Sequence, residues 1–115
     1  MANPVVHFEL IGKDAAALQK FYGDLFGWRV DANNPMNYGV IDTGGGGING
    51  GIAGGEQASN AFYIEVDDPQ AYLDRIEAAG GKTIVPVTVI PGMVTFAQFS
   101  DPEGNVVGLV KSEEG

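Results

Sequence analysis

At 115 residues and 12.0 kDa, the chain is long enough to bury a real core as one domain but too short for two. Its net charge of −9, from 15 acidic against 6 basic residues, repels phosphate backbones and argues against nucleic acid as a partner. The absence of cysteine excludes disulfides, thiolate metal sites and a cysteine nucleophile, and no apolar run approaches the roughly 20 residues of a membrane span.

Residues 5–11 alternate with a period of two. Val6, Phe8 and Leu10 share one face, and Val5, His7 and Glu9 share the other, which predicts a strand. Residues 13–26 predict a helix: Asp14 can cap it, Leu18, Phe21, Tyr22 and Leu25 form the 3.6-residue stripe, and Gly27 stops it. Strands are expected at 28–31 and 38–42, separated by the turn residues Asn33, Asn34 and Pro35. The four glycines at 44–47 make a turn before a thin strand at 48–53, and residues 54–60 read as a polar linker. A further strand follows at 61–66. Asp68 caps a second helix with Pro69 in its first turn, Tyr72, Ile76 and Ala79 are expected to face inward, and Gly80 and Gly81 end it. Residues 82–90 are a strand in which Pro86 requires an edge position or a bulge. Strands at 94–100 and 106–110 form the last hairpin, joined by Asp101, Pro102, Glu103, Gly104 and Asn105.

The chain is written twice. At an offset of 54 residues, Phe8 falls on Phe62, Leu10 on Ile64, Asp14 on Asp68, Ala17 on Ala71, Gly27 on Gly81 and Val30 on Ile84. Two copies of one supersecondary unit commonly pack to make a shared cleft. The expected architecture is one α+β domain of two tandem βαβββ modules, residues 1–54 and 55–115, forming an open cup of mixed β-sheet with the helices outside. The copies differ at one telling position, since His7 is matched by Ala61.

His7 is the only histidine. Its plainer reading is a hydrogen-bonded wall residue. Glu9 follows two residues later on the same face, about 6.5 Å along the strand, so the two could also form an imidazole–carboxylate pair for proton abstraction. The glycines at 44–47, 50 and 51 do not make a phosphate loop, because no Lys-Ser/Thr and no helix follow them. Trp28, Tyr38 and Tyr63 are candidate stacking surfaces, with Trp28 equally suited to the core.

Several segments in this order and spacing resemble the vicinal oxygen chelate superfamily, which includes glyoxalase I, extradiol dioxygenases and bleomycin-resistance proteins. They are Val6-His7-Phe8-Glu9, Phe21-Tyr22 with Leu25-Phe26-Gly27-Trp28, Glu65-Val66-Asp67-Asp68, and Phe99-Ser100-Asp101-Pro102-Glu103-Gly104-Asn105. Short glyoxalase-like proteins carrying a Gly-Ile-Asn-Gly-Gly segment, here residues 47–51, are the nearest in pattern. The resemblance implies that metal-dependent members hold a divalent ion with side chains from the first and last strand of each module. Carried over, those positions are His7 and Ala61, Gly108, and a first-module counterpart at about Gly50. Only His7 is a donor, and a dedicated site needs three or more, so neither a metal nor another cofactor is expected.

Two readings stay open. One is a bleomycin-resistance-like protein that binds or sequesters a small organic molecule, partly apolar and cationic, in contact with His7, Glu9, Tyr63, Glu65, Met93 and Gly108. Missing side chains at Gly50 and Gly108 would leave room on the cup floor. The other is a lyase, isomerase or dioxygenase-type enzyme with His7 and Glu9 as catalytic candidates, with or without a divalent metal. The first residues have neither the basic region nor the apolar region of a signal peptide, so a cytoplasmic location is expected. A homodimer is expected because family members commonly pair, and because Pro86 and the thin fourth strand would leave sheet edges needing cover.

Overall fold

The computed structural model describes residues 2–112. The first module runs β1 (Val5–Gly12), α1 (Ala15–Phe26), β2 (Arg29–Asp31), β3 (Gly39–Asp42) and β4 (Asn49–Gly54). The second runs β5 (Ser59–Val66), α2 (Pro69–Ala78), β6 (Lys82–Ile90), β7 (Val94–Ser100) and β8 (Val106–Lys111). The fold is therefore mixed α+β with the βαβββ order repeated. The chain divides into two compact units, residues 6–61 and residues 62–112 together with 2–5. No helix among the described residues is long and apolar enough to cross a membrane.

In the first unit the strands lie in the order β2-β3-β4-β1, with β4 parallel to β1 and antiparallel to β3. The glycine-rich β4 is thus an interior strand, which corrects the expectation that it leaves an edge. Its ladder bonds need no side chains, and its glycines admit neighbours that a Cβ would exclude. A Cβ on Gly50 would collide with Phe8, and one on Gly51 with Tyr38. Asp14 accepts from the Ala17 N–H at 3.0 Å, and Gly27, at φ 71°, donates to the Gly23 carbonyl at 3.0 Å. These are the cap and stop read from the sequence.

Helix α1 sits differently from its apolar stripe. Leu18 and Tyr22 are half-buried, but Phe21 and Leu25 are exposed. Gly12 and Gly39 leave room that the Leu18 and Gln19 side chains occupy, so the helix rolls toward that side. Tyr22 stacks on Trp28 at 5.4 Å and 10°, and Trp28 tilts onto Phe8 at 5.5 Å. Trp28 is therefore a packing residue.

In the second unit the order is β5-β8-β7-β6, with β8 parallel to β5 and β7 antiparallel to both of its neighbours. Asp68 accepts from the Ala71 N–H at 3.2 Å, and Pro69 occupies the first turn of α2. The core is Val66, Leu73, Ala97 and Leu109, surrounded by Ile64, Tyr72, Ile76, Val87 and Phe99. Leu73, 2% exposed, is buried along with Pro69 on the inner side of the helix. Ala79, expected inside, is instead the exposed residue that caps the end of α2, because the helix stops at Ala78. β6 ends the sheet order, and its register shifts twice, between Thr83 and Val85 and between Val85 and Thr88. Pro86, which cannot donate to a ladder, lies within the second shift.

The N-terminal residues belong to this second unit. The Pro4 carbonyl accepts from the Glu65 N–H at 2.9 Å, Asn3 Nδ2 donates to the Glu65 carbonyl at 3.1 Å, and the Tyr72 hydroxyl bonds Asn3 Oδ1 at 3.3 Å.

Candidate functional site

The alternation of β1 puts His7 and Glu9 on one face, and the parallel register sets His7 beside Asn49 and Glu9 beside Gly51. A tyrosine joins the pair. The Tyr38 hydroxyl lies 3.0 Å from His7 Nε2 and 3.0 Å from Glu9 Oε2. The rings of His7 and Tyr38 are nearly parallel, at 18° and 6.4 Å. The hydroxyl has one proton and donates it to Glu9, since a carboxylate can only accept; the bond to His7 then runs from Nε2–H to the phenol oxygen. Partial burial holds the His7 pKa below its usual 6.5, opposed by the nearby Glu9 charge. The lowered pKa makes the neutral imidazole the main form at pH 7, and the hydrogen-bond direction places its proton on Nε2.

Tyr38 is aimed by the turn that precedes β3. Asn34 Oδ1 accepts from the Met36 N–H at 3.2 Å and the Tyr38 N–H at 3.0 Å, and Asn34 Nδ2 donates to the Tyr38 carbonyl at 2.7 Å. Asn37 completes the bend at φ 52°, a conformation asparagine tolerates better than most residues. Tyr38 then lies over Gly51. A Cβ there would coincide with atoms of the phenol, so only glycine fits beneath the ring.

The second unit contains a related arrangement. Tyr63 pairs with Gly108 across β5 and β8, and its ring covers the position a Gly108 side chain would take. Gln98 Nε2 donates to the Tyr63 hydroxyl at 2.8 Å. Tyr63 is only 6% exposed.

Of the residues predicted from sequence, His7 and Glu9 come together through Tyr38, and Tyr63 and Gly108 come together through ring and backbone. Two expectations are corrected. The first-module counterpart of Gly108 is Gly51, because Glu9 pairs with Gly51 as Tyr63 pairs with Gly108, while Gly50 pairs with Phe8 on the opposite face. The space above Gly108 is not open, because the Tyr63 ring fills it. Glu65 is half-buried, with its backbone N–H and carbonyl bonded to residues 4 and 3. Met93 lies between β6 and β7 and lines a shallow, open depression with Val89, Ile90, Thr95 and Lys111, which Tyr63 and Gly108 do not line. Asn34 and Gln98 were not predicted, and Tyr38 was read only as a stacking surface.

The donor set does not suit the family's metal. Among the described residues no group of three or more His, Cys, Asp or Glu side chains could hold an ion. Gly51 and Gly108 offer no donor, and the phenol rings occupy the volume that donor side chains would need.

A βαβββ unit repeated in tandem, first and last strands paired in parallel within each copy, defines a class of α+β proteins. Residues 5–109 match the family model of the Glyoxalase/Bleomycin resistance protein/Dioxygenase superfamily, and the chain belongs to that superfamily. It is 33% identical over 113 residues to "Putative glyoxylase CFP32" of Mycobacterium bovis, covering 84% of this chain and 41% of that protein. The chain thus spans about two-fifths of that relative's length. It is also 33% identical over 111 residues to a glyoxylase-like domain-containing protein of Didymella fabae, covering 84% of both. Among solved structures it resembles methylmalonyl-CoA epimerase of Mycobacterium tuberculosis, with TM-score 0.69, 12% identity, 96% of this chain and 88% of that chain covered, a likeness of fold alone.

Proposed function

We propose that this chain binds a small organic molecule without a metal ion, in the manner of the bleomycin-resistance branch of its superfamily. The observation that carries this reading is the tyrosine-on-glycine pairing. Both last-strand positions where a ligating side chain would stand are glycines covered by phenol rings. The ligand's polar end meets the His7–Tyr38–Glu9 cluster, which offers a hydroxyl, a neutral imidazole and a carboxylate on one strand face. Its remainder is flat or apolar, as in pockets with few convergent polar groups. The acidic surface, net −9, favours a cationic ligand. The protein works in the cytoplasm as a homodimer in this reading.

The test is a thermal-shift screen of small organic amines and aromatics, run with and without EDTA. A ligand at 100 times its Kd adds about 2.7 kcal/mol, which moves the melting temperature of a domain this size by several degrees. Hits are expected to act equally in EDTA and to lose their effect in His7→Ala. Hits that require Ni²⁺, Zn²⁺ or Mn²⁺, or near one equivalent of such a metal in the purified protein, would overturn the reading.

A further inference from the structure

In the first module an imidazole nitrogen and a carboxylate oxygen converge on a single point, 3.0 Å from His7 Nε2 and 3.0 Å from Glu9 Oε2, and a phenol oxygen sits there. Such convergence is what a divalent ion asks of its ligands, at about 2.0–2.2 Å instead of hydrogen-bond distance. Within this module, a third donor would rise from β4 beside Glu9. That position is Gly51, and the Tyr38 ring lies where its Cβ would be. The ring therefore excludes any side chain at position 51, and glycine there makes room for the ring.

The second module makes the same exchange with a different tyrosine. Tyr63 covers Gly108 and bonds Gln98. The two tyrosines are not copies inherited with the repeat. At the 54-residue offset Tyr38 falls on Gly92, and Tyr63 falls on Glu9. One enters from the turn before β3 and the other from β5 itself. The same outcome reached from two places in the fold is a recurrent replacement, not an accident of one turn.

We propose that Tyr38 stands in for the metal ion: its hydroxyl holds His7 and Glu9 in the converged geometry an ion would impose, and its ring closes the β4 ligand position. Asn34 is its positioning residue, through the three hydrogen bonds that set the turn. This rests on the metal-independent reading above and assigns the residue that enforces it. The exchange has a chemical consequence. A bound ion accepts lone pairs at several open positions, whereas a phenol fixed between imidazole and carboxylate offers a directional hydrogen bond. The cluster therefore selects ligands by hydrogen bonding, through a hydroxyl, amine or amide group, in preference to chelating oxygen pairs.

The experiment removes the plug and supplies the missing donor. The EDTA-treated parent, Tyr38→Ala/Gly51→Glu, and the same pair with His7→Ala are titrated with Ni²⁺ and Zn²⁺ by calorimetry, with circular dichroism confirming the fold of each. The parent is expected to show no saturable uptake through His7. The double variant is expected to take up one equivalent at least tenfold more tightly than the parent, and the triple variant to lose that gain. A folded double variant that binds no better than the parent overturns the Tyr38 assignment alone. A parent that already binds one equivalent, lost in His7→Ala, overturns both this assignment and the metal-independent reading. Tyr38→Phe gives a second, fold-neutral measurement, since it keeps the ring on Gly51 and removes the hydroxyl. The chain has one histidine, so its imidazole ¹⁵N resonances are unambiguous. The Nε2 signal should move in Tyr38→Phe, and an unmoved signal would also sink the assignment.

Discussion

Gly108→Ala adds one methyl group at a site where the structure leaves no room for it. The new Cβ would overlap the Cγ, Cδ2 and Cε2 atoms of Tyr63. The ring cannot slide far, because it is 6% exposed and its hydroxyl is held by Gln98 at 2.8 Å. Overpacking of this kind costs about 1–3 kcal/mol, and losing the Tyr63–Gln98 bond adds about 1 kcal/mol, so a destabilisation of about 2–4 kcal/mol is expected. Tyr63→Ala alone removes a buried ring and should cost about 3–5 kcal/mol. In that background Gly108→Ala places a methyl into vacated space and should cost close to nothing. The double-mutant cycle is thus strongly non-additive, with a coupling of about 2 kcal/mol or more, well above the usual ~0.5 kcal/mol scatter for independent sites. The assay is urea unfolding of all four proteins followed by circular dichroism. The single tryptophan, Trp28, lies in the other unit, so fluorescence would follow the wrong half. Additivity within about 0.5 kcal/mol would refute the claim that the ring occupies the Gly108 side-chain position.

Leu73→Ala should destabilise the second module by about 2–5 kcal/mol in the same urea assay, because Leu73 fills the centre of its core beside Val66, Ala97 and Leu109. The His7 pKa lies below 6.5 in the folded protein, so the unfolded chain takes up a proton first on acidification. Stability should therefore fall as pH drops through 6.5 toward the folded-state pKa, and this part of the slope should vanish in His7→Gln; an NMR titration midpoint above 6.5 would contradict it. Asn34→Ala removes three hydrogen bonds from the turn that aims Tyr38. It should disturb the His7 imidazole resonances in the same sense as Tyr38→Phe, at a stability cost of about 1–3 kcal/mol from thermal or urea unfolding.

The element order was legible because each period change is marked by a residue with a strong local preference: Asp14 and Asp68 at caps, Gly27 at a stop, Pro86 at the disrupted edge strand. The seating of the helices was less so. The Phe21 and Leu25 stripe is apolar, yet α1 is rolled by the room left at Gly12 and Gly39, a packing of helix on strand backbone that periodicity within the helix does not describe. The site suffered from a parity problem. A one-residue slip moves a strand residue to the opposite face. In a run such as Gly50-Gly51 no alternation of side chains reveals which glycine belongs with His7; only the pairing of Glu9 with Gly51 does. Tyr38 was recognised as aromatic, but its hydroxyl's partners depend on a turn closed by Asn34, which period and propensity do not describe.

The strip formed by Asn3 and Pro4 ties the two halves of the gene's text together in an unequal way. Residues at the front of the first repeat supply hydrogen-bond partners to the backbone of Glu65 and the hydroxyl of Tyr72 in the second. The repeats are thus not interchangeable pieces of tape. A half-chain cut after Gly54 would carry away partners that its sibling needs, and the fragment beginning at Gly55 would face water with the Glu65 N–H and carbonyl bare on that side. The folding unit and the repeating unit of this sequence therefore have different edges.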